Sequence, residues 1–196
     1  MIATDRIAQL QRRGLRLEYA TLGWNLTEIG VLGAAAVAAR SVALAGFALD
    51  SIIEVFASLV VVWQLKGTAT RERERFAVRL IGLAFFGLAI YIAVQAVVTI
   101  SLDIRPDSSP LGIVWLSATC GVMFGLAAAK TRTGTELGNP VLLAEAKVTV
   151  IDGTLAAGIL LGLVLNAAAG WWWADVAAGG ILVVYGIRQG IEHLRP

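Results

Sequence analysis

Asp50 and Glu54 are the residues of this chain best placed to do chemistry. They lie in SVALAGFALDSIIEVFASLVVVWQL, residues 41–65, a run long and apolar enough to cross a bilayer. A spanning helix needs about 20 apolar residues. An acid near its centre costs on the order of 2.5–3.5 kcal/mol on insertion scales, so two acids there need a function to account for them. Their i, i+4 spacing sets both on one helical face, where two carboxylates can hold one cation between them.

The chain around this pair reads as the scaffold that positions it. It has 196 residues, 58% of them hydrophobic and 15% charged, with a mean hydropathy of +0.77. That is too apolar and too sparsely charged for a soluble domain. The apolar runs are long rather than short and alternating, which selects helices over barrel strands. The expectation is an all-α integral membrane protein of six transmembrane helices. A single cysteine, Cys120, excludes a disulfide framework and a Cys-rich metal site, and it reads as a small packing residue. The first sixteen residues are polar and basic, so no cleavable signal peptide is expected.

Three units are expected along the chain. Residues 1–16 form a basic arm, with Ile2, Ile7, Leu10 and Leu15 suited to the headgroup region and Arg6, Arg12, Arg13 and Arg16 to anionic lipid or to a plain positive-inside flank. Residues 17–190 form the transmembrane domain, and 191–196 a short tail with no C-terminal cytoplasmic domain. The spans are expected at about 17–39, 41–65, 76–101, 111–129, 141–165 and 171–187. Their connectors are Arg40, the charged segment 66–79, the proline-containing turn 103–110, the segment 130–140 and the uncharged turn 166–170. The first, third and fifth connectors carry only Arg40 and Arg105, and the rest of the Lys and Arg falls almost wholly at the other end. The positive-inside rule therefore puts both termini in the cytoplasm. Trp171, Trp172 and Trp173 then lie at the outer interface, where an aromatic belt is expected. Trp115 falls near that face and Trp24 lies deeper.

A rise of about 1.5 Å per residue converts position into depth. Glu28 lies roughly 16 Å in from the cytoplasmic end of span one, Asp50 and Glu54 roughly 14 and 20 Å in from the outer end of span two, and Asp152 roughly 16 Å in from the cytoplasmic end of span five. In a hydrocarbon core about 30 Å thick, three helices thus deliver four acids to one level. Four carboxylates close together cannot all stay charged without a counter-ion. A divalent cation relieves that repulsion and so do protons, which makes exchange of one for the other chemically natural. Asn25, one turn from Glu28, adds a neutral carbonyl oxygen. For each single acid the plainer alternative is a protonated, hydrogen-bonded packing residue.

Other polar residues carry less. Glu145, Thr149 and Asp152 share a face, with Glu145 near the cytoplasmic mouth and Lys147 as its expected ion-pair partner. Asp175 reads first as a solvated acid opening span six and second as an exit-path residue. His193 is in the tail, away from the midplane. Small residues such as Gly30, Gly33, Gly179 and Gly180 suit close helix contacts. No nucleophile–base pair, phosphate loop or nucleotide motif is present, so neither an enzyme, a prosthetic cofactor nor a nucleic-acid partner is expected.

Six spans with cytoplasmic termini, ALAGFALDSIIEV in span two and AEAKVTVIDGTLAAGILLG in span five, together resemble the cation diffusion facilitator (cation efflux) family in a minimal form with the transmembrane domain only. In that family a pair one turn apart on span two and another on span five form a midplane Zn²⁺ site. By this resemblance Asp50 and Glu54 correspond to the first pair and Asp152 to the second member of the other. The first member falls at Val148, which offers no ligand. The WNLTE stretch of span one and the GWWWAD opening of span six resemble a carboxylate-rich branch, in which Glu28, with Asn25, would replace the missing ligand. The resemblance further implies a homodimer, here through membrane helices or loops.

The function this implies is efflux of a divalent metal cation, Zn²⁺ by family resemblance, in exchange for protons, by a multi-pass membrane protein (plasma or inner membrane if bacterial). An all-oxygen site shifts preference toward harder ions such as Mn²⁺ or Mg²⁺, so Fe²⁺, Mn²⁺, Co²⁺ and Cd²⁺ stay open as cargo. Two alternatives remain: a passive cation channel using the same acids, which would need a continuous polar path, and a non-transporting membrane scaffold or regulatory subunit.

Overall fold

The computed structural model describes the backbone of residues 2–65 and 71–194. The expectation of a solvated connector at 66–70 and the placement of the His193 side chain lie outside the described residues. Six α-helices follow in order: α1 (Ile2–Ala39), α2 (Val42–Leu65), α3 (Arg71–Ser101), α4 (Pro110–Leu137), α5 (Pro140–Ala169) and α6 (Trp173–Leu194). No strand occurs among the described residues.

The helices run further than hydropathy alone suggests. The basic arm is continuous with span one in α1. α3 begins at Arg71, so its charged first turn is helical rather than part of a connector. α4 continues through Lys130 to Leu137, two turns beyond the expected end of span four. Hydropathy marks where a helix leaves lipid, whereas the backbone stops only where its chemistry requires. For α4 that stop is Gly138, in the left-handed conformation at φ 59°, with the Asn139 N–H donating to the Gly134 carbonyl at 3.0 Å. Glycine takes that conformation without a Cβ penalty. The start of α4 is equally local. Ser109 accepts from the Gly112 N–H at 3.1 Å, and Pro110 occupies the first helical position, where its missing N–H leaves no bond unmade.

Three short connections meet at one end of the bundle. Arg40, itself left-handed at φ 52°, pairs with Asp107 at 2.9 Å. The Asp107 N–H donates to the Ala39 carbonyl at 2.9 Å, and the Asn166 amide donates to the Pro106 carbonyl at 3.0 Å. These bonds tie the α1–α2 and α3–α4 turns to each other and to the last turn of α5, which stays helical through Ala169 in place of the expected turn over 166–170. In the interior α4 packs on α5, α3 on α6 and α1 on α2, with α1 also against α4 and α2 touching α3, α5 and α6.

Polarity in this bundle is inverted relative to a protein in water. Large aliphatic side chains face outward, Val37 at 82%, Leu102 at 69% and Val114 at 68% exposure, while Glu18, Asn25, Glu28, Asp50, Asp152 and Lys130 lie inside at 2% or less. Acids and lysines are almost never fully buried unless paired, and an apolar exterior of this extent matches lipid. Among the described residues, four helical segments are long and apolar enough to cross a membrane: Arg6–Ala39, Gly82–Ser101, Pro110–Leu137 and Glu145–Ala169. An apolar cluster that includes Leu32, Phe47, Ile92, Leu116, Ile159 and Leu182 fills the bundle beside the polar interior.

Candidate cation site

Asp50, Glu54 and Asp152 come together. One carboxylate oxygen from each lies within 4.8 Å of the other two, and all three side chains are buried. The one-turn spacing in α2 aims two acids the same way, and the packing of α2 on α5 adds the third. Both oxygens of Asp50, Oε1 of Glu54 and Oδ2 of Asp152 have no hydrogen-bond partner among the described residues. Buried polar atoms nearly always have one. Oxygens that ligate a first-row divalent ion at about 2.0–2.2 Å can lie up to about 4.4 Å apart across it, so small side-chain adjustments close this set around one ion. Two ionised carboxylates at 4.8 Å repel by about 3.5 kcal/mol in an effective dielectric near 20. The arrangement therefore favours a bound cation or bound protons over three bare charges.

Asn25 of α1 joins the cluster directly. Its amide donates to Glu54 Oε2 at 2.9 Å, and its carbonyl oxygen is buried with no hydrogen-bond partner among the described residues. Glu28, one turn further along α1, is differently placed. Its Oε1 accepts from the Trp115 indole at 3.1 Å and from the Thr119 hydroxyl at 2.6 Å, while Oε2 lies 3.1 Å from the Ser51 hydroxyl. The structure thus places Glu28 beside the three-acid cluster and fills its lone pairs with protein donors. Trp115 turns inward instead of serving an interfacial belt, and it stacks on Trp24 with centroids 5.0 Å apart.

Sequence reasoning missed a second polar layer. Lys130, read as the first residue of a loop, is fully buried. Its ammonium lies 3.2 Å from Glu18 Oε2 and 3.4 Å from Glu145 Oε1, and it donates to the Thr149 hydroxyl at 3.2 Å. The Ser58 hydroxyl approaches the same Glu145 oxygen at 3.4 Å. A signal was present: Glu18, Thr21, Asn25 and Glu28 recur at i, i+3, i+7 and i+10, a single helical face, and all four are buried. Glu145 accordingly pairs with Lys130, and Lys147 is exposed. Asp175 is also not solvated. It is fully buried and accepts from the Val42 and Ala43 N–H groups at 3.0 and 3.4 Å and from the Ser41 hydroxyl, capping α2 from the first turn of α6.

Helices, lipid-type surface and buried acids define a multi-pass, all-α membrane protein with a carboxylate cluster inside its bundle. No protein-family model matches the chain. It is similar to transmembrane protein 163 of Xenopus laevis, 27% identical over 152 residues that make up 73% of this chain and 54% of that protein. It is also similar to a Synechocystis protein described as an uncharacterized transporter, 29% identical over 167 residues, or 79% of this chain and 53% of that one. The chain spans about half the length of these curated relatives.

Proposed function

We infer that this protein is a transporter-like membrane protein whose cargo is a divalent metal cation, held near the bilayer midplane by Asp50, Glu54 and Asp152. The observation that carries the reading is three buried carboxylates from two helices, within 4.8 Å of one another and with oxygens that have no partner among the described residues. Asn25 adds a neutral oxygen beside them. Likeness to a Synechocystis protein described as a transporter supports the same direction, as does the resemblance of the α2 and α5 stretches to the cation diffusion facilitators.

In the mechanism, the cation enters the cluster and displaces whatever protons neutralise it. Protonation from the other side releases it, so the two fluxes run in opposite directions. The helices re-aim a site that stays at one depth. Asp50 and Glu54, on one face of α2, move as a unit, whereas Asp152 rides on α5, so relative motion of α2 and α5 opens or closes the set. Glu28 takes a supporting role in this reading: with three donors around it, it holds α1, α2 and α4 in register beside the site. Zn²⁺ follows from the family resemblance, and an all-oxygen set also accepts harder ions.

The test is metal uptake into proteoliposomes under an imposed pH gradient, with Zn²⁺, Mn²⁺, Fe²⁺, Co²⁺ and Cd²⁺ offered in turn. Saturable, proton-linked flux that falls at least about 100-fold in Asp50→Ala and in Glu54→Ala supports the reading; a carboxylate ligand is harder to replace than its outer-shell partners, whose loss costs 10–100-fold. Flux that neither saturates nor responds to the gradient points to a channel. Absence of flux for every ion, from folded protein, overturns transport.

A further inference from the structure

Lys130 sits where a second cation would be expected. Seen from the central acids, Ser58 lies one turn beyond Glu54 in α2, Glu145 two turns before Asp152 in α5, and Glu18 two turns before Asn25 in α1. At about 1.5 Å per residue these offsets are roughly 6 Å and 10 Å, all toward the end of the bundle from which α1 starts. The layer is built from four helices: Glu18, Glu145 and Thr149 surround the ammonium of the α4 lysine, and Ser58 reaches the same Glu145 oxygen. Arg6 and Glu136 pair at 3.6 Å further toward the same end.

Two features separate this layer from an ordinary ion pair. Its bonds are loose. Charge-assisted N–H···O contacts settle at about 2.7–2.9 Å, whereas the ammonium lies at 3.2, 3.2 and 3.4 Å from its three acceptors. The acids also hold more acceptor than the ammonium uses, since Glu18 Oε1 is buried with no partner among the described residues. With both acids ionised, one ammonium leaves the layer at a net charge of −1, and a divalent ion in its place brings the layer to zero.

We propose that Glu18 and Glu145, with Ser58 and Thr149, form a second divalent-cation site on the route to the central acids, and that the Lys130 ammonium is a tethered cation occupying it. The proposal rests on the reading of Asp50, Glu54 and Asp152 as the cargo site. Lys130 then gates that route. A cation arriving from the α1-start end exchanges with the ammonium, which must swing off Glu145 or Glu18. When the cation moves on, the lysine returns and keeps two buried carboxylates from facing each other bare.

The experiment counts ions bound per chain by equilibrium dialysis of the purified full chain with Zn²⁺ and with Mn²⁺, for the parent, Lys130→Gln, Lys130→Gln with Glu18→Gln, and Asp50→Asn. Lys130→Gln is expected to bind one ion more than the parent, and the added Glu18→Gln to remove that ion. A folded Lys130→Gln with the parent's count overturns the proposal. Lys130→Gln is also prepared with and without Zn²⁺ throughout purification. Folding restored by the ion supports a site the ion can fill, and failure to fold in either case makes Lys130 a structural strut and overturns the proposal. The central site is read separately: a parent count unchanged by Asp50→Asn rejects the cargo site, whatever increment Lys130→Gln shows.

Discussion

Asp175→Ala tests whether the acid opening α6 is a structural cap or a station on an exit path. Asp175 is fully buried. Its Oδ2 takes the Val42 N–H at 3.0 Å and the Ala43 N–H at 3.4 Å, and its Oδ1 takes the Ser41 hydroxyl, which itself accepts from the Leu44 N–H at 3.1 Å. Losing an N-cap costs about 0.5–2 kcal/mol, and leaving a buried donor without an acceptor costs about 1–3 kcal/mol. These overlap, so about 3 kcal/mol is expected for alanine. Asparagine keeps one acceptor for Val42 and should lose about 1 kcal/mol. For a chain of this size each kcal/mol moves the melting temperature by about 2–4 °C, which gives a fall of about 6–12 °C for Asp175→Ala. Thermal unfolding in detergent measures it, with flux normalised to folded protein run beside it. A shift below about 2 °C would refute the cap. So would an Asp175→Asn protein of parental stability that no longer transports, since that pattern belongs to a residue on the ion's path.

Asn25→Ala removes both the donor to Glu54 and the unpartnered carbonyl oxygen, and cation affinity should fall about 10–100-fold, read by dialysis. Glu28→Gln turns one of two acceptor oxygens into an amide donor, leaving one oxygen for Trp115 and Thr119 while the Ser51 hydroxyl keeps the Phe47 carbonyl as acceptor. It should cost about 1–3 kcal/mol of stability and leave the number of bound ions unchanged; loss of an ion would make Glu28 a ligand. Gly162→Ala would push a Cβ to 2.9 Å from the Ala174 carbonyl oxygen and 3.1 Å from Ala178 Cβ. Overpacking of that kind costs about 1–3 kcal/mol, whereas Gly23→Ala, with nothing within 4 Å, should not lower the melting temperature.

Much of the bundle was legible because lipid imposes a simple rule: apolar runs of spanning length, broken by proline, glycine and charge. The turn at 103–110 carries its own signal, whereas the turn expected at 166–170 falls later, at 170–172, because α5 stays helical through Ala169. The depth arithmetic that set Asp50, Glu54 and Asp152 at one level needed only the span ends. What the sequence hid was the inward use of charge near those ends. Lys130 lies where hydropathy falls, and a lysine there reads as solvated. The stop at Gly138 extends α4 past Lys130, and burial against α1 and α5 sets the lysine on an interior face. Asp175 was hidden for a related reason, since its partners are backbone N–H groups of α2, more than 130 residues away in the chain, and backbone donors leave no mark in a sequence.

The distribution of donors explains why the same residue type does different work along this interior. Glu28 has Trp115, Thr119 and Ser51 within hydrogen-bond reach, so its charge is met by the protein and it holds helices together. Glu18 and Glu145 share a lysine, so their charge is met in part by a cation that the chain brings itself. Asp50 has neither; both of its oxygens are buried without a partner among the described residues, and its neighbours in the cluster are two further acids. A carboxylate in hydrocarbon without a donor or a counter-ion is costly, and only something that arrives from outside the chain, a cation or a proton, can meet that cost. The carboxylates that the described protein groups leave least compensated are therefore those at which cargo is expected.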